Sequence, residues 1–152
     1  MRLPARVTPT EALQRVEQRE DVFDYVQTRN PGAAVEWHVN FADAHLFVAY
    51  GSRLFAQDEM QVTEHPALGA LKEALGLSGA SATTEENGKA TPVLVAGVER
   101  RCRVLTDSNQ GEGRPHGLYG NAFASAASEV VRRATVSIDP PTITNLIAIA
   151  AP

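Results

Sequence analysis

The chain has 152 residues, of which 43% are hydrophobic and 21% charged, a composition that predicts one soluble globular domain over residues 1–152. Its formal net charge of −4 argues against a protein that tracks along DNA or RNA, because a phosphate backbone prefers a basic partner. There is no apolar run of membrane-spanning length, and the first residues lack the apolar stretch of a signal peptide. The single Cys102 excludes an internal disulfide and fits a cytoplasmic location.

The first elements expected along the chain are a helix and a strand. Thr8-Pro9-Thr10-Glu11 combines a capping threonine, a proline at the first helical position and a capping-box glutamate, so it predicts a helix to about residue 28. Residues 33–42, AAVEWHVNFA, alternate apolar and polar positions, which is typical of a strand with one buried face. The side chains expected on the buried face are Val35, Trp37, Val39 and Phe41.

Two helices and a loop are expected next. The apolar run over residues 46–55 has no regular period, whereas residues 56–63 have a helical pattern. Residues 66–77 carry leucines at helical spacing and predict an amphipathic helix. Residues 76–90 are polar and contain glycine, which predicts a loop.

A long loop separates two groups of strands in the second half of the chain. Residues 93–95 and 98–105 predict two buried strands, and residues 107–121 predict the loop, which is of a length that is usually functional or disordered. Residues 122–134 are rich in small residues and predict a helix.

The last segment is expected to contain two strands and a turn. Residues 135–138 predict a short strand, Asp139-Pro140-Pro141 a turn, and residues 145–151 a final buried strand. Because strands and helices alternate along the chain, we predict a mixed sheet covered by helices in a three-layer α/β domain.

Two adjacent acids, Asp58 and Glu59, stand at the start of the expected helix over residues 56–63. Neighbouring helical positions point about 100° apart, so the two carboxylates cannot share one role. One of them could face a cleft while the other caps the helix, where the dipole favours negative charge. Alternatively, both are solvent-exposed acids of a helix start.

The segment HGLYGNAF, residues 116–123, places glycines directly before a helix. Its backbone N–H groups and the helix N-terminus could hold a phosphate group, or the segment could be an ordinary loop. Tyr119 and Phe123 could stack on a base or pack on a ribose, or they could anchor the loop in the core.

The sequence predicts neither a metal site nor a cofactor. His38, His45, His65 and His116 do not have the spacing of known metal ligands. The GxSxG and GxGxxG patterns of hydrolase and dinucleotide-binding folds are absent. Cys102 lies in a strand pattern and is interpreted as a structural thiol.

Three short motifs follow one another along residues 41–68. The expected strand ends in Phe41-Ala42-Asp43, Gln57-Asp58-Glu59 follows after an intervening segment, and Pro66-Ala67-Leu68 continues in register. This order resembles the poly(ADP-ribose) glycohydrolase branch of the macrodomain family, in which Phe-Ala-Asn, a glycine-rich diphosphate loop, Gln-Glu-Glu and Pro-x-Leu succeed one another. Residues 117–123 are similar to the second ligand-binding loop of macrodomains. The resemblance covers residues 33–77 and 91–151.

The chain departs from the family pattern at several positions. The three consecutive glycines of the family fall on Phe47, Val48 and Ala49, although Gly51-Ser52 follow shortly after. Asp43 replaces the family's asparagine, and Asp58 replaces the first glutamate. Glu59, at the position of the catalytic glutamate, is retained.

The resemblance implies a three-layer α/β/α macrodomain with a mixed central sheet. It implies an ADP-ribosyl hydrolase that cleaves the C1″ glycosidic bond of ADP-ribose attached to a protein or nucleic-acid acceptor, with Glu59 as general acid and base and Asp58 orienting the ribose. The ligand-binding residues that it implies are Phe41, Ala42, Asp43, Gly51, Ser52, Gln57, Gly117, Leu118, Tyr119, Gly120, Asn121 and Phe123.

Two other functions remain open at the level of the sequence. A binding module of the same fold would recognise ADP-ribose without cleaving it, and an unrelated α/β interaction domain would not bind it. The sequence does not decide whether the acceptor is an acidic side chain, a serine, a polymer end or a DNA base, and it does not predict the oligomeric state.

Overall fold

The computed structural model describes Tyr25 and residues 35–150, so the helix expected over residues 8–28 lies outside the described residues apart from Tyr25. Ten elements follow one another in the described part. They are β1 (His38–Ala42), α1 (Gln57–Glu64), α2 (Ala67–Ser78), β2 (Glu85–Glu86), β3 (Lys89–Ala90), β4 (Val93–Val104), a 3₁₀ turn (Gln110–Glu112), α3 (Ala122–Ser125), α4 (Ser128–Ala134) and β5 (Thr135–Ala150).

The main sheet has the strand order β1-β5-β4. β1 runs parallel to β5, with His38 opposite Leu146, and β4 runs antiparallel to β5. α1 packs against β1 and β4, and α2 packs against β4. The predicted mixed α/β class with a mixed sheet is therefore confirmed, whereas the three-layer macrodomain arrangement remains a prediction. Among the described residues, no helix is long and apolar enough to cross a membrane.

The face of β1 that is buried is the opposite of the predicted one. Val35, Val39 and Phe41 are 71%, 42% and 61% exposed, and Trp37 is also exposed. The other face carries Asn40, which is fully buried beneath α1. The prediction was wrong because helix α1 binds the polar face of the strand through side-chain hydrogen bonds, and alternation alone cannot say which face a helix covers.

Two long strands replace the shorter ones that were predicted. β4 is one strand with a register shift between Val95 and Val98, where Gly97 adopts a positive φ of 72°. β5 continues through Asp139-Pro140-Pro141, where a turn was predicted, and a second register shift lies close by. Prolines are tolerated where an irregularity releases the strand from donating an N–H group.

Smaller differences concern the loops and the last helix. The predicted loop over residues 76–90 contains the β2–β3 hairpin, whose turn residues Asn87 and Gly88 both have positive φ angles. Positive φ at both central residues is what a tight hairpin turn requires. The helix predicted over residues 122–134 is interrupted at Ala126 and Ala127, which are extended, so α3 and α4 are separate.

Helix α1 contributes side chains to two apolar clusters. Val62 belongs to the first cluster together with Leu68 and Leu146, and Met60 belongs to the second together with Phe55 and Leu118. Because α1 contributes to both clusters, its rotation about its own axis is fixed. Its amino-terminal turn, which carries the two acids, is therefore held in one orientation at the end of β1.

Candidate functional site

The side chain of Gln57 joins the carboxyl end of β1 to the amino end of α1. The Gln57 side chain accepts a hydrogen bond from Phe41 N–H at 3.0 Å through Oε1. Its Nε2 donates to the Val39 carbonyl at 2.7 Å. The amide thus occupies the outer edge of β1 as a neighbouring strand would, and it places the following acids beside the end of the sheet.

The opposite end of α1 is bound to β4. Glu64 is buried, and its Oε2 accepts from Arg100 Nε at 2.9 Å. Its Oε1 accepts from Val104 N–H at 2.9 Å. His65 directly follows, fully buried, with Nδ1 2.8 Å from the Gln61 carbonyl. With Gln57 at one end and Glu64 at the other, α1 is held by polar contacts to two strands of the sheet.

Asp58 is a buried carboxyl, only 7% exposed. Its Oδ1 accepts a hydrogen bond from Asn40 Nδ2 at 2.8 Å. Burial raises its pKa to about 6, with the charges of Glu59 and Asp43 acting in the same direction and the Asn40 hydrogen bond opposing them. A carboxyl in that range can exchange a proton close to neutral pH.

Glu59 is equally buried, at 6% exposed. Its Oε2 accepts from Ala56 N–H at 2.9 Å, which satisfies a free N–H group at the start of α1. The alternative that both acids are solvent-exposed residues of a helix start is therefore wrong. Each has its own partner, and the two side chains point in different directions, as adjacent helical positions require.

Glu59 lines two cavities of about 350 Å³ each. The first, called the acidic cavity here, lies at the carboxyl end of β1, and three of its described lining residues carry a carboxyl group. Its lining residues are Phe41, Ala42, Asp43, Val48, Ala49, Leu54, Ala56, Gln57, Asp58, Glu59 and Tyr119.

The second cavity, called the aromatic cavity here, shares Glu59 and Leu54 with the lining of the first. It is lined by Tyr50, Gly51, Ser52, Leu54, Phe55, Glu59, Val62, Thr63, Pro66, Gly69 and Phe123. The rings of Phe55 and Phe123 are stacked, with centroids 4.3 Å apart and planes inclined by 14°. Glu59 is thus common to the lining of an acidic cavity and of a cavity that contains an aromatic pair.

The loop between β1 and α1 takes a left-handed backbone conformation at Phe47, a residue that is not glycine. Phe47 has a positive φ of 51° although its side chain is completely buried. A left-handed conformation costs a residue with a side chain about 1–2 kcal/mol, and burial of the phenyl ring in the core offsets that cost. Val48 and Ala49, which follow, line the acidic cavity.

In the second loop, residues 116–121, three backbone N–H groups donate hydrogen bonds to carbonyl groups of the protein. Gly117 N–H donates to the Arg114 carbonyl at 3.0 Å, and Leu118 N–H donates to Thr106 at 2.9 Å. Gly120 N–H donates to the Phe55 carbonyl at 2.8 Å. These three groups hold the loop against its neighbours instead of pointing into a cavity. Tyr119 lines the acidic cavity and Phe123 lines the aromatic cavity.

The structure gathers most of the predicted site residues around Glu59. Gly117, Leu118, Gly120 and Asn121 line neither cavity, and Leu118 is instead a fully buried core residue. Gly117 is needed for packing, since a Cβ atom there would clash with the Thr106 carbonyl oxygen.

Sequence reasoning missed Asn40 and Phe55. Asn40 could have been found, because alternation along β1 places it on the same face as Ala42 at the end of the strand. Nothing local marks Phe55, which lies in the irregular run before α1.

Charge limits what the two cavities can bind. No lysine, arginine or histidine lines either of them in the part of the chain that the structure describes. The described residues also contain no cluster of His, Cys, Asp and Glu side chains that could hold a metal ion. Hydroxyl-rich ligands, whose O–H groups donate to carboxylates, suit the acidic cavity best.

No protein-family model, curated protein or solved structure matches this chain. The chemistry of the site therefore rests on its geometry, which consists of two buried carboxyls at the end of a strand and two cavities that share Glu59 in their lining.

Proposed function

We propose that this protein is a macrodomain-like ADP-ribosyl hydrolase that cleaves the C1″ glycosidic bond of ADP-ribose attached to a protein or nucleic-acid acceptor. The observation that carries the proposal is the placement of Glu59, a buried acidic residue that belongs to the lining of two cavities. A glycosidic bond that lies beside Glu59 would have its sugar in one cavity and its leaving group in the other.

Glu59 acts as general acid and then as general base. It donates a proton to the acceptor atom bonded to C1″, that bond breaks, and the bonding electrons leave with the acceptor. The positive charge that develops on the sugar is favoured by the nearby carboxylates. Water then adds to C1″ and returns its proton to Glu59, so ADP-ribose and the free acceptor are the products.

The acidic cavity holds the distal ribose. Asp58 and Asp43 line it, and carboxylates accept hydrogen bonds from sugar hydroxyls. Asn40 keeps the Asp58 carboxyl in place by donating to Oδ1. The diphosphate is bound by the backbone N–H groups of Val48 and Ala49, which line the cavity, whereas those of Tyr50 and Ser52 already donate to carbonyls of the same loop.

Replacement of the acid tests the proposal. Glu59→Gln retains an oxygen that can accept from Ala56 N–H, so the variant is expected to fold and to bind ADP-ribose within a few-fold of the wild type by calorimetry. Release of ADP-ribose from an ADP-ribosylated substrate is expected to fall about 10²–10⁴-fold, because the proton donor is lost. Glu86→Gln, an exposed acid of β2, is the matched control and should retain full activity.

A non-catalytic ADP-ribose-binding module is the second candidate, and one contact favours it. Oε2 of Glu59 is engaged by Ala56 N–H, as in a helix-capping glutamate. Such a module would bind ADP-ribose in both the wild type and the Glu59→Gln variant and would release none from any acceptor. Absence of ADP-ribose binding would contradict both functions.

A further inference from the structure

We propose that the exposed apolar face of the main sheet binds a second copy of this chain, so that the protein forms a two-fold symmetric dimer. This surface, called the open face here, carries the side chains of Trp37, Val39, Phe41, Leu94, Ile143, Ile147 and Ile149. The inference does not depend on the proposed function. Phe41 is the member of the open face that also lines the acidic cavity, so it is not substituted in the test below.

The strand register brings the apolar side chains of the open face together. Ile147 of β5 lies opposite Val39 of β1 on one side and Leu94 of β4 on the other. Phe41 lies opposite Ile149. Residues that pair across neighbouring strands point to the same face of a sheet, so these side chains form one continuous surface across all three strands.

The helices cover the other face of the same sheet. Leu146 of β5 is fully buried there, in a cluster with Val62 of α1 and Leu68 of α2. The ring of Tyr25 lies on this side as well, with its centroid 4.9 Å from that of His38, the residue opposite Leu146. The sheet therefore separates the open face from α1, α2 and Tyr25.

The open face is large enough for a stable contact. Leu94 and Ile143 are 59% and 56% exposed, and Phe41 is exposed to a similar degree. At about 150–250 Å² for a fully exposed large side chain, the open face exposes on the order of 600 Å² of apolar surface. The largest patch of a typical monomer is about 300–600 Å², and each partner of a standard interface buries about 800 Å² including its polar rim.

The polar groups at the open face already have partners. Oδ1 of Asn145 accepts from Gly97 N–H at 2.9 Å, and its Nδ2 donates to the Glu36 carbonyl at 3.1 Å. At the border of the face, Glu99 and Arg101 form an ion pair with each other. An apolar partner can therefore cover the face without leaving the Asn145 amide unpaired.

A second open face is the partner that these properties suit best. Anionic lipid headgroups and nucleic acids are repelled by a chain with a formal net charge of −4. Two copies are not repelled at the contact itself, because the charges of Glu99 and Arg101 offset each other on each copy. The two apolar faces have equal area by symmetry, and sheets pack face to face about 10 Å apart.

Gln57 favours association through the face over association through the edge of β1. Its side chain bonds Phe41 N–H and the Val39 carbonyl at that edge, so a strand of another chain cannot pair with these groups. A two-fold contact through the open face uses the same surface on both copies. Association through this face consequently ends at the dimer.

Sedimentation equilibrium of the full chain tests the dimer, at concentrations from about 1 to 100 µM. We expect the mass of two chains at the upper end of this range. Leu94→Glu and Ile143→Glu are each expected to raise the Kd of the dimer at least about 10-fold, because the new charge would be buried against an apolar surface. Leu77→Glu is the matched control, since Leu77 is 91% exposed at the end of α2, and it should behave as the wild type. A Leu94→Glu variant that dimerises as tightly as the wild type would overturn the inference, and so would a mass above that of two chains.

Trp37 gives a second measurement, because it is the single tryptophan of the chain and belongs to the open face. Its fluorescence emission is expected at longer wavelength in monomeric Leu94→Glu than in the wild-type dimer, and unchanged in Leu77→Glu. The same emission in the dimer and in the monomeric variant would place the contact elsewhere and overturn the inference.

A monomeric wild type at 100 µM would also overturn the inference, and Trp37 would then show what covers the face instead. If acrylamide does not quench Trp37 in that monomer, another segment of the same chain covers the face. If Trp37 becomes shielded only when phosphatidylcholine vesicles are added, the partner is a lipid surface.

Discussion

Asp58 owes its unusual proton affinity to the residues around it. It lies beneath the end of β1 with one hydrogen bond from Asn40, and burial raises its pKa from 3.8 to about 6. The folded protein consequently binds this proton more tightly than the unfolded chain does. The contribution of Asp58 to stability is greatest below pH 3.8 and is lost as the pH rises through about 6.

Removal of this charge is expected to stabilise the protein at high pH. Asp58→Asn retains an oxygen for the Asn40 hydrogen bond and no longer buries a negative charge, so its free energy of unfolding at pH 8 should exceed that of the wild type by about 1–3 kcal/mol. The advantage should disappear near pH 4, as measured by urea denaturation at several pH values. Asp107→Asn, at an exposed aspartate, should show no such pH dependence. A difference that is the same at pH 4 and pH 8 would contradict the raised pKa.

At the scale of elements, the Gln57 amide makes two of the hydrogen bonds that place α1 beside β1, and Asn40 and Gln61 take part in others. Both functional atoms of the Gln57 amide bond the backbone of β1, at Phe41 N–H and at the Val39 carbonyl. β1 is an edge strand, with β5 as its only partner strand among the described residues. The glutamine satisfies backbone groups that such an edge would otherwise leave to water or to another chain.

Loss of the Gln57 amide is expected to expose the backbone groups at the outer edge of β1 to solvent. Gln57→Ala removes two hydrogen bonds and should lower the free energy of unfolding by about 1–2 kcal/mol. The amide hydrogen of Phe41 should exchange with solvent faster than in the wild type, which NMR-detected hydrogen exchange measures residue by residue. Gln110→Ala, at an exposed glutamine in the 3₁₀ turn, should leave this exchange unchanged. Unchanged protection of Phe41 in Gln57→Ala would show that the amide does not hold the strand.

The helix boundaries and the strand faces differ in how far local sequence predicts them. α1 and α2 begin and end within about two residues of the predicted segments, because turn signals and a proline mark them locally. The buried face of β1 was predicted wrongly, since its apolar side chains, Phe41 among them, are exposed while Asn40 is buried. Which face a helix covers depends on partners distant in the chain, and here those partners are polar groups of α1.

At the scale of the whole molecule, a buried histidine makes stability sensitive to acid. His65 is fully buried, and burial lowers its pKa to about 4, with the Gln61 carbonyl opposing and the charge of Arg100 adding to the shift. His38 and Tyr25 also lie beside it, and the pKa of His38 is lowered by burial as well. The unfolded chain therefore takes up a proton before the folded one does, and stability falls as the pH decreases from 6.5 towards 4.

Replacement of the His65 imidazole is expected to make the free energy of unfolding depend less on pH. His65→Asn retains a donor for the Gln61 carbonyl, and its free energy of unfolding should change less between pH 6.5 and 4 than that of the wild type, by about 1–3 kcal/mol. Its stability at pH 8 should be lower, because the smaller side chain leaves a cavity. His116→Asn, at an exposed histidine, should follow the wild-type profile. The same acid sensitivity in His65→Asn and the wild type would assign the effect to other groups, such as His38.

The amino-acid sequence by itself determined the α/β class, the extents of α1 and α2, and the neighbouring pair Asp58 and Glu59, because period, capping signals and proline act over a few residues. Only the tertiary structure decided that both acids are buried, that Glu59 lines two cavities, and that β5 continues through its prolines. Burial and the opening of a cavity depend on contacts between segments far apart in the chain. Here the pairing of Asn40 with Asp58 and the stacking of Phe55 on Phe123 are such contacts, and no local pattern contains them.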